Sequence, residues 1–390
     1  MYIGDVVALE AACATLAGER VVAIDTEFMR ERTYFARLCL IQIGTDRDVF
    51  VVDAIALEGE LGRLAPLLES PETVKVFHAG SQDVEVLLKA TGVTPRPLFD
   101  TQVAATLAGF PTQVGYAQLV HDLLGAEIDK ADTFTDWSVR PLSDTQLAYA
   151  AADVEHLPKV YEILRERLER EGRLEWLEAD FARLADPATY FADPGEQYRR
   201  VKRASSLDRR SLAVLREVAA WRETEAQRRD VPRRWLVSDE SLIEVARRRP
   251  ADAAALAGIR GVGDRAAGKM AAGILRAIAD GMAVPEEDLL RLPKRSLVPT
   301  DAQPVADVLS AVCRIRAREH GVALTLLATR DELERFAAGE RDGHPLAGGW
   351  RRTLVGAELE ALLDSRSSLS MRDGRIVLSE VSEERADAAD

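Results

Sequence analysis

A chain of 390 residues is long for one domain and points to two or three. Its 47% hydrophobic and 30% charged residues exclude a disordered chain, and no apolar run approaches the roughly 20 residues that a membrane-spanning helix needs. The formal charge of −14 argues against a nucleic-acid partner until its distribution is read: residues 1–195 carry 17 basic and 33 acidic groups, residues 196–300 carry 22 and 15, and residues 301–390 carry 12 and 17.

Met1 to Asp5 show no basic segment ahead of an apolar stretch and no small-residue cleavage site, so the cytoplasm is the expected location, with no membrane association. Cys13, Cys39 and Cys313 are few, odd in number and far apart, and read as reduced core residues. Strands are expected at Val21–Ile24, Leu38–Ile43 and Val49–Val52, close enough in sequence to be antiparallel neighbours, and at Val74–Phe77 after a helical stretch. Residues 82–89, 101–108, 115–124 and 143–170 read as helices, the last with Pro158 as a possible kink. This alternation makes residues 1–195 an α/β domain with a mixed sheet flanked by helices.

Near residues 186–210, Pro and Gly and then a run of Arg and Lys interrupt the periodicity. Helices follow at 207–229, 239–249 and 264–280, then at 304–319, 331–338 and 356–364. These divide into one all-α unit over 204–285 and a second over 300–370, with an acidic tail from 371 to 390 that frays beyond about residue 380. The acidic first segment suits a site that collects divalent cations; the basic middle segment suits either a grip on phosphate or scattered solvated charge.

Three carboxylate elements stand out. Asp25 and Glu27 lie two apart at the expected end of the first strand, so they share a face, and their mutual repulsion is relieved by a hard divalent cation such as Mg²⁺ or Mn²⁺. Asp83 falls in the first turn of a helix after the small-residue turn His78-Ala79-Gly80-Ser81, which fits a helix cap as well as a ligand. Tyr149 and Asp153 are four apart across three alanines on one helix face, as a catalytic pair or as a structural one.

Asp-x-Glu, then Asp, then Tyr-x-x-x-Asp, in that order, are similar to the three exonuclease motifs of the DEDD superfamily in its tyrosine subclass. The stretches Asp25–Phe28, Arg32–Tyr34, Leu40–Gln42, His78–Ser81, Phe99–Gln102, Thr135–Trp137 and Arg140–Leu142, with Tyr149–Asp153, resemble the ribonuclease D family over most of residues 20–160. The resemblance implies a ribonuclease H-like fold and a 3′→5′ exoribonuclease that uses two divalent ions, Mg²⁺ or Mn²⁺. Asp25, Glu27, Asp83 and Asp153 would hold the ions, and Tyr149 would orient the attacking water, its ordinary pKa of about 10 making it a poor base. Thr26, Phe28, His78, Lys130, Trp137 and Arg140 are candidate substrate contacts, with structural packing the competing role for Trp137.

Residues 204–281, with Trp221-Arg222, Trp235-Leu236-Val237 and Gly261-Val262-Gly263, resemble the HRDC module, which implies nucleic-acid binding; 300–370 resembles a degenerate second copy. The implied partner is RNA, as transfer RNA precursors with 3′ extensions, and no obligate protein partner is evident. A DNA exonuclease of proofreading or helicase-associated type, or a nucleic-acid-binding protein of the same fold without activity, remains the alternative.

Overall fold

The computed structural model describes residues 1–128, 135–191, 193–290, 299 and 301–381. Its first half is built on a six-stranded sheet of β1 (Tyr2–Ile3), β2 (Val21–Met29), β3 (Arg37–Gly44), β4 (Val49–Asp53), β5 (Val74–Phe77) and β6 (Leu98–Asp100), in the order β1-β4-β3-β2-β5-β6. The β2–β3 and β3–β4 pairs are antiparallel, as short connections require, and β1–β4, β2–β5 and β5–β6 are parallel. The expected mixed sheet is therefore present. Around it lie helices α1 (Val6–Leu16), α2 (Ala65–Glu69), α3 (Ser81–Thr91), α4 (Thr101–Leu107), α5 (Tyr116–Leu124), α6 (Asp144–Glu155), α7 (Leu157–Arg170) and α8 (Glu178–Ala185).

Alternation along the strands divides the core in two. Ile24, Ile41, Ile43, Phe50 and Val52 pack with Leu9 and Leu16 of α1 and with Val84 and Leu87 of α3. Ala23, Val76 and Phe99 pack on the opposite side with Val160, Tyr161 and Leu164 of α7.

Two expectations are corrected here. Residues 143–170 form two helices that break at His156, because Pro158 has no N–H and its ring would clash with the carbonyl of Val154; the proline instead sits in the first turn of α7. Strand β2 does not end at Ile24 but runs on to Met29, with a bulge between Glu27 and Phe28, because β3 continues to pair with it.

The second half is helical. Helices α9 (Arg209–Arg229), α10 (Arg233–Leu236), α11 (Asp239–Arg248), α12 (Ala253–Ala257) and α13 (Gly263–Ala283) enclose one core, into which Tyr198, Val201 and Ala204 also pack. Gly261 (φ +83°) and Gly263 (φ +58°) make the left-handed turn into α13 that side chains with a Cβ adopt poorly. Helices α14 (Ala302–Glu319), α15 (Leu324–Leu327) and α16 (Arg330–Ala337) and a last helix at Ala357–Leu363 enclose another core. After it, β7 (Ser367–Arg372) and β8 (Arg375–Glu380) form an antiparallel hairpin where the sequence reading placed a tail. Asp373-Gly374, both at positive φ, is the two-residue turn that closes it.

Both helical units touch the α/β half. The β2–β3 loop is held by α9: Asp230 accepts the N–H groups of Tyr34 (3.1 Å) and Phe35 (3.0 Å), the Tyr34 hydroxyl donates to the buried Glu223, and Gln227 donates to that hydroxyl at 3.1 Å. Trp176 and Trp350 stack at 5.1 Å between ring centroids, and the Thr112 and Thr325 hydroxyls meet at 2.7 Å.

Candidate active site

The site forms where the sheet changes direction. Strand β5 pairs with β2 only through Val21, Val22 and Ala23, so among the described residues no strand neighbours that side of β2 from Asp25 onward, and α3 begins there instead. Such a place at the carboxyl end of parallel strands is where α/β sheets open a crevice. Period two sets Asp25 and Glu27 on one face, and α6 lies across it. Gly44 of β3 permits that approach: a Cβ there would stand 2.7 Å from the carbonyl oxygen of Val154. Asp153, the residue before Val154, is thereby brought over β2, and ligand oxygens of Asp25, Glu27 and Asp153 lie within 4.8 Å of one another.

Tyr149 sits one turn before Asp153 on α6, half-buried, with the buried Ala150 beside it and the Trp137 ring 6.0 Å from its own. Asp83 lies outside the three-carboxylate cluster. It is 8% exposed in the first turn of α3 and accepts the hydroxyl of Thr26, while Gly80 is the residue at the cap position. The turn leading into α3 is fixed by Asp100, whose carboxylate accepts N–H groups from Ala79 (3.2 Å), Gly80 (2.8 Å), Gln102 (2.9 Å) and Val103 (3.2 Å). Asp100, which the sequence marks only within the Phe99–Gln102 stretch of the family resemblance, is also the N-cap of α4.

The acids hold their protons tightly without a cation. Burial, then the charges of Asp153 and Asp83, push Glu27 up to about 8 from its ordinary 4.5. Burial lifts Asp153 to about 6, and burial likewise lifts Asp83 to about 6 against the opposing bond from Thr26. Asp25 is raised well above its ordinary value by burial and by Asp83, Asp153 and Glu27. These acids therefore hold more protons in the folded, metal-free chain than in the unfolded one between about pH 4 and 8, so their contribution to stability declines as pH rises through that window. Melting temperatures from pH 5 to 8.5 in the presence of a chelator are expected to fall, and Glu27→Gln is expected to flatten the fall. A flat wild-type profile would mean that neither burial nor crowding raises the proton affinity of these carboxylates. Cation affinity should move the other way, rising with pH as protons are displaced.

The candidate substrate contacts divide. Thr26 is buried and serves Asp83; Phe28 is part-exposed, with the Arg30 guanidinium 5.9 Å from its ring. His78 is held by the Thr101 hydroxyl at Nδ1 (2.9 Å) and the Val114 carbonyl at Nε2 (3.0 Å), and burial lowers its pKa, which suits a neutral ring. For Trp137 the surroundings favour the packing role, because the residue is 5% exposed among Cys39, Leu40 and Ala150. Arg140 forms a clamp: it forks onto Asp53 (2.6 and 2.8 Å) and donates to the carbonyls of Trp137 (2.7 Å), Val139 (2.8 Å) and Cys39 (3.0 Å). That clamp, with the Tyr2 hydroxyl on Asp53, ties the segment before α6 to β4 and holds Asp53 down at about 2. Lys130 lies outside the described residues.

Residues 2–169 match the 3′-5′ exonuclease family model, and residues 211–278 match the HRDC domain. The chain is 49% identical over 362 residues to ribonuclease D of Gluconacetobacter diazotrophicus, covering 93% of this chain and 92% of the relative. It belongs to the ribonuclease D family. Ribonuclease D of Granulibacter bethesdensis is 46% identical, with 94% and 93% covered. The crystal structure of Escherichia coli RNase D, an exoribonuclease involved in structured RNA processing, superposes with a TM-score of 0.81 at 29% identity, over 94% of this chain and 98% of that one. As a member of the ribonuclease D family the chain is a 3′→5′ exoribonuclease, a hydrolase of phosphodiester bonds acting on RNA. The acidic cluster stands within the exonuclease match, and among the described residues no helix is long and apolar enough to cross a membrane.

Proposed function

We propose that this ribonuclease D-family chain shortens transfer RNA precursors with 3′ extensions, releasing nucleoside 5′-monophosphates, at a site of two divalent cations, Mg²⁺ or Mn²⁺. The observation that carries the reading is the convergence of Asp25, Glu27 and Asp153 within 4.8 Å at raised proton affinity, with Asp83 adding its charge from the start of α3. Crowded all-oxygen donors of this kind fit hard divalent ions. Bound divalent ions supply charge stabilisation to phosphoryl transfer. Asp25, Glu27, Asp83 and Asp153 hold them, and Thr26 keeps the Asp83 carboxylate oriented. Tyr149, on the face of α6 that bears Asp153, orients the attacking water. The exposed Lys202, Arg203 and Arg234 of the helical half meet the phosphate backbone upstream.

The deciding experiment follows a 3′-labelled transfer RNA precursor, an unstructured RNA and a DNA of equal length, each with chelator, Mg²⁺ or Mn²⁺. Cation-dependent release of mononucleotides from the precursor, stopping near the mature end, is expected. Equal trimming of all three substrates would remove the substrate proposal. Binding titrations over a salt series read the grip: neutralising Lys202, Arg203 and Arg234 together should lower the slope of log K against log salt by roughly 0.7 per lost contact.

A further inference from the structure

One polar side chain in the site has no partner among the described residues. Gln42 is fully buried, and neither its amide nitrogen nor its amide oxygen makes a hydrogen bond. It lies on β3 directly across from Asp25, and directly opposed residues of an antiparallel pair project from the same face about 5 Å apart. On the other side it faces the buried Val51 of β4. Two residues along β3 is Gly44, against which the Val154 backbone of α6 is pressed. The amide is thus sealed between the strand that carries Asp25 and the helix that carries Asp153. A buried amide with both atoms unpaired is unfavourable, and an apolar side chain of equal length would avoid the cost.

We infer that Gln42 is a positioning residue for Asp25, its amide N–H donating to the Asp25 carboxylate when that carboxylate holds a cation. The inference rests on the cation site proposed above. The chemistry of the side chain suits the task. A lysine or arginine in its place would donate equally well but would compete with the cation for the acids, and a glutamate would add a fifth negative charge. A neutral carboxamide fixes one carboxylate oxygen and leaves the charge of the site unaltered. Its cost falls on the metal-free protein and is relieved once the site is filled, so the amide favours the loaded state over the empty one.

The test uses the full chain and three variants: Gln42→Met, Gln42→Leu and Asp25→Asn. Calorimetric titration with Mn²⁺ and thermal melts in chelator are measured beside single-turnover cleavage. Gln42→Met is expected to melt at or above the wild-type temperature without metal, to bind Mn²⁺ about tenfold more weakly, and to recover much of its lost rate at saturating Mn²⁺. Wild-type Mn²⁺ affinity in Gln42→Met, with Asp25→Asn impaired, overturns the role of Gln42 alone. Wild-type affinity in Asp25→Asn overturns the cation site itself. If neither Gln42 variant folds, the amide holds the fold rather than Asp25, and the inference fails on that ground as well.

Discussion

Replacing any one of Asp25, Glu27, Asp83 or Asp153 by alanine is expected to abolish cation-supported RNA hydrolysis while leaving the metal-free protein at least as stable as the wild type. The two halves of this result have one cause. Three of the carboxylates have oxygens within 4.8 Å of one another; burial raises the proton affinity of each, and neighbouring acids raise Asp25 and Glu27 further, so the cluster is a source of strain in the metal-free protein. Removing one relieves repulsion, and the melting temperature at pH 8 should rise or hold. The same acid is a ligand in the loaded protein, and losing part of a site that supplies several kcal/mol to the transition state should cost roughly 1000-fold or more in rate. Asp83 is the most informative of the four, because it is also the acceptor of the buried Thr26 hydroxyl. Asp83→Ala leaves that hydroxyl unpaired at a cost of about 1–3 kcal/mol, so its melt should rise least. Single-turnover cleavage of a 3′-labelled RNA with Mg²⁺ titrated, beside melts in chelator, reads both halves. A variant that keeps full activity takes its residue out of the site; one that melts far below the wild type was holding the fold.

The parts of this site that were legible in the sequence are those with a local period. Alternation along β2 puts Asp25 and Glu27 together wherever the strand ends, so misplacing its end at Ile24 did not disturb the pair. The spacing of Tyr149 and Asp153 survives the break at His156, because both lie in α6. What escaped depends on contacts between distant segments. Asp53 and Arg140 are 87 residues apart, and nothing near either marks a clamp rather than a surface charge. The pairing of Gln42 with Asp25 follows only from the register of β2 on β3, which sequence leaves free to slip. Asp230 and Glu223, which hold the Tyr34 loop from nearly 200 residues away, read as ordinary helix-surface acids. The hairpin of β7 and β8 is a different case, since Asp373-Gly374 is a local signal that the acidic tail composition obscured.

The hold on that loop bears on how the two halves work together. Residues 30–36 connect the strand of Asp25 and Glu27 to the strand of Gln42, so the helical half anchors the hairpin that frames the site. The RNA grip proposed for the helical half and the geometry at the acids therefore share a mechanical element, this loop.

Tyr149→Phe separates the orientation of water from the holding of cations. The ring of Tyr149 stands 6.0 Å from the buried Trp137 and next to Ala150, so its packing should survive loss of the hydroxyl, and no carboxylate is altered. If the hydroxyl orients the attacking water, the loss falls on the transition state: about 2–4 kcal/mol, or roughly 30- to 1000-fold in kcat. Mn²⁺ affinity and RNA Kd should change less than about threefold, since neither depends on an interaction made chiefly in the transition state. Asp153→Asn should show the opposite division, with weaker cation binding and a rate partly recovered at high Mn²⁺. The pH profile adds a second discriminator. A hydroxyl that acted as a base would set a limb of the profile, which Phe would erase; one that orients water leaves the shape of the profile unchanged and lowers its height at every pH. Near-wild-type turnover in Tyr149→Phe would make the Tyr149–Asp153 face of α6 a packing surface, with Asp153 its only chemical contribution.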